Sequence, residues 1–196
     1  RGAGRCPCPA GRGRGSDARM TGPDGMPERP TDGCYWVAPG FLAGNYPRTG
    51  FEDSSRDKMR RILDAGVTCF VDLTTRYDPL LPYDQLVEQL AGAGAMRAHF
   101  PVPDMSIPGS PEQTREILDT IDRVIEEGGT VYLHCWGGVG RTGTIVGCWL
   151  VRHGMAGEEA LDRVTQLWET RPDSGWSTSP QTDDQFRYVR EWSEGK

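Results

Sequence analysis

No run of this 196-residue chain approaches the ~20 consecutive apolar residues that a membrane-crossing helix requires, so no membrane partner is expected. Basic residues are outnumbered: 22 Lys and Arg stand against 28 Asp and Glu, a formal charge of −6. That balance argues against a general binder of nucleic acid, which needs a basic face to neutralise phosphates. Any phosphate this chain binds has to be gripped locally. The six cysteines include no CxxC pair and no regular spacing, which excludes a disulfide framework and points to a reducing, cytoplasmic setting. No segment near the start joins an apolar core to a cleavage site, in keeping with that placement. The three histidines, His99, His134 and His153, fall in no HExxH or Cys/His ligand pattern, and neither a metal nor another cofactor is expected.

Residues 1–33 contain no Val, Ile, Leu, Phe, Tyr or Trp, while eight are Gly and five Pro. Such a stretch has little apolar area to offset its ordering entropy, so it reads as a disordered Gly/Pro/Arg-rich tail without an assigned function. Residues 34–196 read as a single folded domain. Short extended runs at 35–38 and 41–43 flank a Pro39-Gly40 turn, and β-branched, apolar strands are expected at 67–73, 97–102 and 130–134. Helices are expected at 53–65, about 82–91, 111–127, 142–153 and two further segments towards the C-terminus. Ser110-Pro111 opens one of them with Gln113 at the third helical position, a capping-box arrangement. The helix from Thr142 carries apolar residues around nearly its whole circumference and should lie at the centre. Strands alternating with helices imply an α/β fold: a twisted, mostly parallel sheet of about four to five strands flanked by helices.

The informative segment is His134-Cys135-Trp136-Gly137-Gly138-Val139-Gly140-Arg141-Thr142-Gly143, set between a strand and the central helix. Gly138, Gly140 and Gly143 match GxGxxG, but another helix follows where a dinucleotide fold needs a second parallel strand bearing an acid. A nucleotide P-loop fails too, since no Lys-Ser/Thr pair closes the turn. A third reading uses every residue. Glycines permit a tight loop whose N–H groups converge on one point, and a helix N-terminus favours an anion there. Arg141 adds a planar fork for two phosphoryl oxygens. The same field favours the thiolate of Cys135, and the Thr142 hydroxyl can donate to that sulfur. Cys69 and Cys148, inside a strand and a helix, read as core residues.

HCWGGVGRTGT resembles the HCxxGxxR[ST] loop of cysteine-dependent protein tyrosine and dual-specificity phosphatases. From about Tyr35 to Trp192 the chain is most similar to compact dual-specificity-like members, which implies the protein phosphatase I-type fold. It also implies a phosphomonoester hydrolase that works through a cysteinyl-phosphate intermediate, with Cys135 as nucleophile and Arg141 as phosphate clamp. Trp136, Gly137, Gly138, Val139 and Gly140 would then bind substrate, and His134 would orient the loop. The family places an acid on a loop some thirty residues upstream, where Phe100-Pro101-Val102-Pro103-Asp104 makes Asp104 the candidate. Asp72 reads as structural, and Asp78 matches no motif. Gln181 and Gln185, in Ser179-Pro180-Gln181-Thr182-Asp183-Asp184-Gln185, resemble the glutamines that position water in classical tyrosine phosphatases. Trp176 either flanks the mouth or packs. Lysine is missing from the loop, which disfavours inositol lipids as substrates. The partner implied is a phosphorylated protein or a small phosphomonoester, acted on by a monomer. Two alternatives stay open: a catalytically weak phosphate-binding module, and a phosphatase of a small metabolite or lipid headgroup.

Overall fold

A computed structural model describes residues 25–175 and 177–194. Five strands form one sheet: β1 (Cys34–Ala38), β2 (Phe41–Gly44), β3 (Val67–Asp72), β4 (Met96–His99) and β5 (Thr130–His134). Their order is β1-β2-β5-β3-β4, with β1 antiparallel to β2 and every other pair parallel. Among the described residues six α-helices cover it: α1 (Glu52–Asp64), α2 (Asp84–Ala91), α3 (Pro111–Glu126), α4 (Gly140–Arg152), α5 (Gly157–Glu169) and α6 (Asp183–Glu191). The mostly parallel α/β architecture expected from the alternation of elements is the one observed.

The period-two rule of a strand divides the core cleanly. Phe41, Ala43, Cys69, Val71, Val131 and Leu133 point to one face and pack with Ile117 and Ile121 of α3, Ile145 of α4 and Val164 of α5. The intervening residues Leu42, Phe70 and Tyr132 point to the other face, against Met59 and Ile62 of α1 and Leu86 of α2. Helix α4 is buried from Gly140 to Leu150, as its all-round apolar pattern implies. It starts two residues earlier than expected, and this draws Arg141 and Thr142 into its first turn. Pro111 begins α3 with the Ser110 hydroxyl accepting from Gln113 N, but the Gln113 side chain accepts from Gly109 N rather than completing the box. Its amide nitrogen donates instead to Pro101 O, at the start of the loop that carries Asp104.

Residues 1–24 and Trp176 lie outside the described residues. Residues 25–33, within the stretch read as a tail, are described and partly packed: Arg29 donates to Thr170 O, and Gly33 O accepts from Asn45 N.

Candidate active site

β5 ends at His134, and the chain turns through Cys135–Val139 into α4. In this turn three carbonyl groups are tied to the scaffold. Trp136 O accepts from Tyr46 N at 2.8 Å, Gly137 O from Arg171 Nη1 at 3.2 Å, and Val139 O from the Ser179 hydroxyl at 2.9 Å. Because C=O and N–H lie on opposite edges of a trans peptide, anchoring these carbonyls turns the N–H of each following residue away from the scaffold groups that hold them. Gly138 has φ +72°, and a Cβ there would collide with the backbone of Gly44 and Asn45. Loop and sheet can approach this closely only because residue 138 has no side chain.

Cys135 is buried, with its sulfur accepting from the Thr142 hydroxyl at 3.1 Å. Arg141 is buried beside it and raised further above its ordinary value. Burial opposes its charge, but the hydrogen bond to Asp78 and the nearby Cys135 outweigh that cost. The guanidinium donates from Nη2 to Asp78 Oδ1 at 2.8 Å and from Nη1 to Asp78 Oδ2 and Val102 O, both at 3.1 Å. Asp104, whose side chain is 56% exposed, places Oδ1 3.0 Å from Arg141 Nη2. The buried Asp78 carboxylate also accepts from Thr75 N and Oγ1. Burial tends to neutralise it, and these hydrogen bonds hold it ionised, below the usual carboxylate value.

The structure thus brings together Cys135, Arg141, Thr142 and Asp104, which the sequence singled out, and adds Asp78, which matched no motif. Gln181 reaches the same place: its Oε1 lies 2.7 Å from where a Cβ on Gly140 would stand. Gln185 is buried and fully engaged, accepting from Gln181 N and Thr182 N and donating to Ser106 O at 2.9 Å. It therefore joins α6 to the Asp104 loop. Arg171 was also missed. It is buried, paired through two nitrogens with Asp173, and stacked 4.2 Å from the Trp168 ring while it holds Gly137 O. Trp136 and Met105 are half-exposed and Tyr77 is largely exposed, the last two next in sequence to Asp104 and Asp78.

His134 is fully buried among Tyr46, Tyr83 and Tyr132. Its Nδ1 lies 3.3 Å from Cys135 O, which can only accept, so Nδ1 carries the proton and Nε2 accepts from Tyr83 Oη at 2.8 Å. Burial lowers its pKa to about 4 despite the nearby Asp72 carboxylate. An unfolded histidine protonates near 6.5, so the folded form is favoured above that pH. The advantage, up to about 3 kcal/mol, drains away as pH falls from 6.5 to about 4. Thermal midpoints measured from pH 7.5 to 4.5 should fall through this window, and His134→Gln should flatten the fall. Asp72, held below the usual carboxylate value because the His134 and Thr74 contacts outweigh burial, releases its own contribution only at lower pH.

A loop that presents a buried cysteine and an arginine to one concavity, at the C-terminal edge of a parallel sheet, defines the class: a tyrosine or dual-specificity phosphatase-type domain. A family model described as "Tc-R-P: Polymorphic toxin system, DSP-PTPase phosphatase" matches residues 46–155, more than half of the chain, and the chain belongs to that family. The match spans Asp78, Asp104 and the whole cysteine loop. Among curated relatives, a protein of Invertebrate iridescent virus 3 named as a candidate tyrosine phosphatase, 067L, is 29% identical over 120 residues, covering 59% of this chain and 44% of its own. The tyrosine-protein phosphatase CDC14 homolog of Schizosaccharomyces pombe is 28% identical over 146 residues, covering 68% of this chain and 26% of its own. The chain therefore spans less than half the length of these relatives. The crystal structure of Tk-PTP in its active form superposes with a TM-score of 0.64 at 27% identity, covering 81% of this chain and 95% of that one.

Proposed function

We propose that this chain is a phosphomonoester hydrolase of the tyrosine or dual-specificity type, acting on a phosphorylated protein or small phosphomonoester through a cysteinyl-phosphate intermediate. The observation that carries the reading is the Cys135 sulfur accepting from the Thr142 hydroxyl while the buried Arg141 guanidinium of the same loop acts on it electrostatically. Residues 34–196 form the catalytic unit. It works as a monomer in a reducing cytoplasm, a setting in keeping with the reduced state of Cys34, Cys69, Cys135 and Cys148. Among the described residues no helix is long and apolar enough to cross a membrane.

In the first half-reaction the Cys135 thiolate attacks phosphorus and forms the S–P bond as the P–O bond to the leaving group breaks. Arg141 and the loop N–H groups, from Trp136 to Arg141, take the charge on the equatorial oxygens. Protonated Asp104 gives its proton to the departing oxygen. In the second, water held near Gln181 gives a proton to Asp104 and attacks phosphorus, and the sulfur leaves as a thiolate that the Thr142 hydroxyl stabilises. His134 takes no proton in this scheme, because its ring is committed to Tyr83 and to Cys135 O and so fixes the loop. Asp78 keeps the Arg141 fork aimed, and Asp72 serves the fold through Arg97 and Thr74.

The test is phosphate release from an aryl phosphate and a phosphotyrosyl peptide with a chelator present. Binding of the peptide without hydrolysis would instead establish a phosphate-binding module. Asp104→Asn should lower kcat by about 10²-fold on the phosphotyrosyl peptide, whose leaving group needs a proton. The loss should be much smaller on an activated aryl phosphate. Equal losses on both substrates would remove Asp104 from the role of acid.

A further inference from the structure

Beside the cysteine loop, on the side of Trp136 and Gly137, lies a cavity of about 460 Å³, large enough for more than a phosphoryl group. Three cations line it, Arg48, Lys58 and Arg171, with Asp173 as the carboxylate among its lining residues. In a chain of formal charge −6 this is a local concentration of positive charge. The three cations are not equivalent. Arg171 is neutralised by Asp173 and occupied with Gly137 O. Arg48 is paired with Glu52, but its buried Nε has no hydrogen-bond partner. Lys58, projecting from α1, donates to Asn45 Oδ1 and Tyr46 O, each at 2.6 Å. Asp173 acts on the Lys58 charge from the same lining, but both hydrogen-bond partners are neutral oxygens, which leaves the ammonium a third N–H. Burial draws its pKa down to about 8, leaving most of it charged at pH 7. Three cations against one carboxylate in the lining, one of them a half-buried ammonium bonded only to neutral oxygens, leave an excess of positive charge that an anion would offset.

Resting on the phosphatase reading, we propose that this pocket binds a second anionic side chain of a phosphopeptide substrate, a carboxylate or a second phosphate flanking the phosphorylated residue. Trp136 follows Cys135 in the loop and also lines this pocket, so a peptide held at the cysteine can extend into it. Its exposed indole offers the peptide an apolar wall between the two charges.

The experiment compares kcat/KM for three phosphotyrosyl peptides that differ only in carrying Glu, phosphoserine or Ala beside the phosphotyrosine, with an aryl phosphate as control. Wild-type protein should prefer either acidic peptide over the Ala peptide by about tenfold, the size of one charge-assisted contact. Lys58→Met should bring that ratio close to one, and Lys58→Arg should restore much of it. If Lys58→Met does not fold, Arg48→Met should reduce the same ratio, and so should raising the salt concentration. A ratio near one in wild-type protein that still hydrolyses the aryl phosphate overturns the pocket and leaves the phosphatase reading standing. No hydrolysis of any substrate overturns that reading. A preference retained in both Lys58→Met and Arg48→Met overturns the assignment to an acidic peptide.

Discussion

Cys135→Ser should abolish phosphate release, a loss of roughly 10⁴-fold or more, with phosphopeptide binding preserved. The swap removes little volume, and the Thr142 hydroxyl that now donates to the sulfur can donate to a serine oxygen in its place. What changes is nucleophilicity. Sulfur is intrinsically a strong nucleophile, whereas a hydroxyl is a weak one without an adjacent base. The one imidazole near this position is unable to act as that base. His134 Nε2 is occupied by Tyr83, its protonated Nδ1 faces Cys135 O, and burial holds its pKa at about 4. Since the cradle is built from main-chain groups anchored by Tyr46, Arg171 and Ser179, it survives the substitution. The variant should therefore retain a phosphotyrosyl peptide, measured by calorimetry, while releasing no phosphate from it. Turnover within tenfold of wild type would mean that the nucleophile is another group.

Much of this arrangement is visible in the sequence, because the signals involved are local. The alternation in Val131-Tyr132-Leu133 and in Cys69-Phe70-Val71 assigns side chains to the two faces of the sheet, and the core divides as that alternation dictates. Glycines, arginine and threonine at fixed offsets from Cys135 announce a loop that runs into a helix, since a close backbone approach leaves few choices of residue. Contacts that cross the fold leave no such trace. Asp78 is 63 positions from Arg141 and Arg171 is 34 from Gly137, and each sits in an irregular segment where an acid or a base is an ordinary surface choice. Their burial makes them informative, and burial at a loop position has no periodicity to reveal it. Gln185 shows the same limit from the other side. Its place in a glutamine pair is readable, whereas its capping of α6 and its bond to Ser106 O depend on where the Asp104 loop comes to rest.

Arg141→Lys keeps the charge and should still cost about 10²- to 10³-fold in kcat, the scale seen when one preorganised donor to a developing oxyanion is removed. The guanidinium has two duties at once. It presents a fork to the phosphoryl oxygens, and it receives Asp78 through two nitrogens while a third bond goes to Val102 O. An ammonium offers a point charge without a plane, so it can satisfy either the buried Asp78 carboxylate or the substrate. Asp78 is the nearer, more fully buried partner and should win, drawing the lysine away from the phosphate. Asp78→Asn tests that account by a different route. It leaves the fork intact but weakens its tether, so KM should rise several-fold with a smaller loss in kcat. In the double variant, Arg141→Lys with Asp78→Asn, the lysine is released from its competing carboxylate. If aiming is the function of Asp78, the double variant should recover activity relative to Arg141→Lys alone, giving a non-additive cycle in kcat/KM. Simple addition of the two losses would show that Asp78 stabilises the loop without directing the arginine.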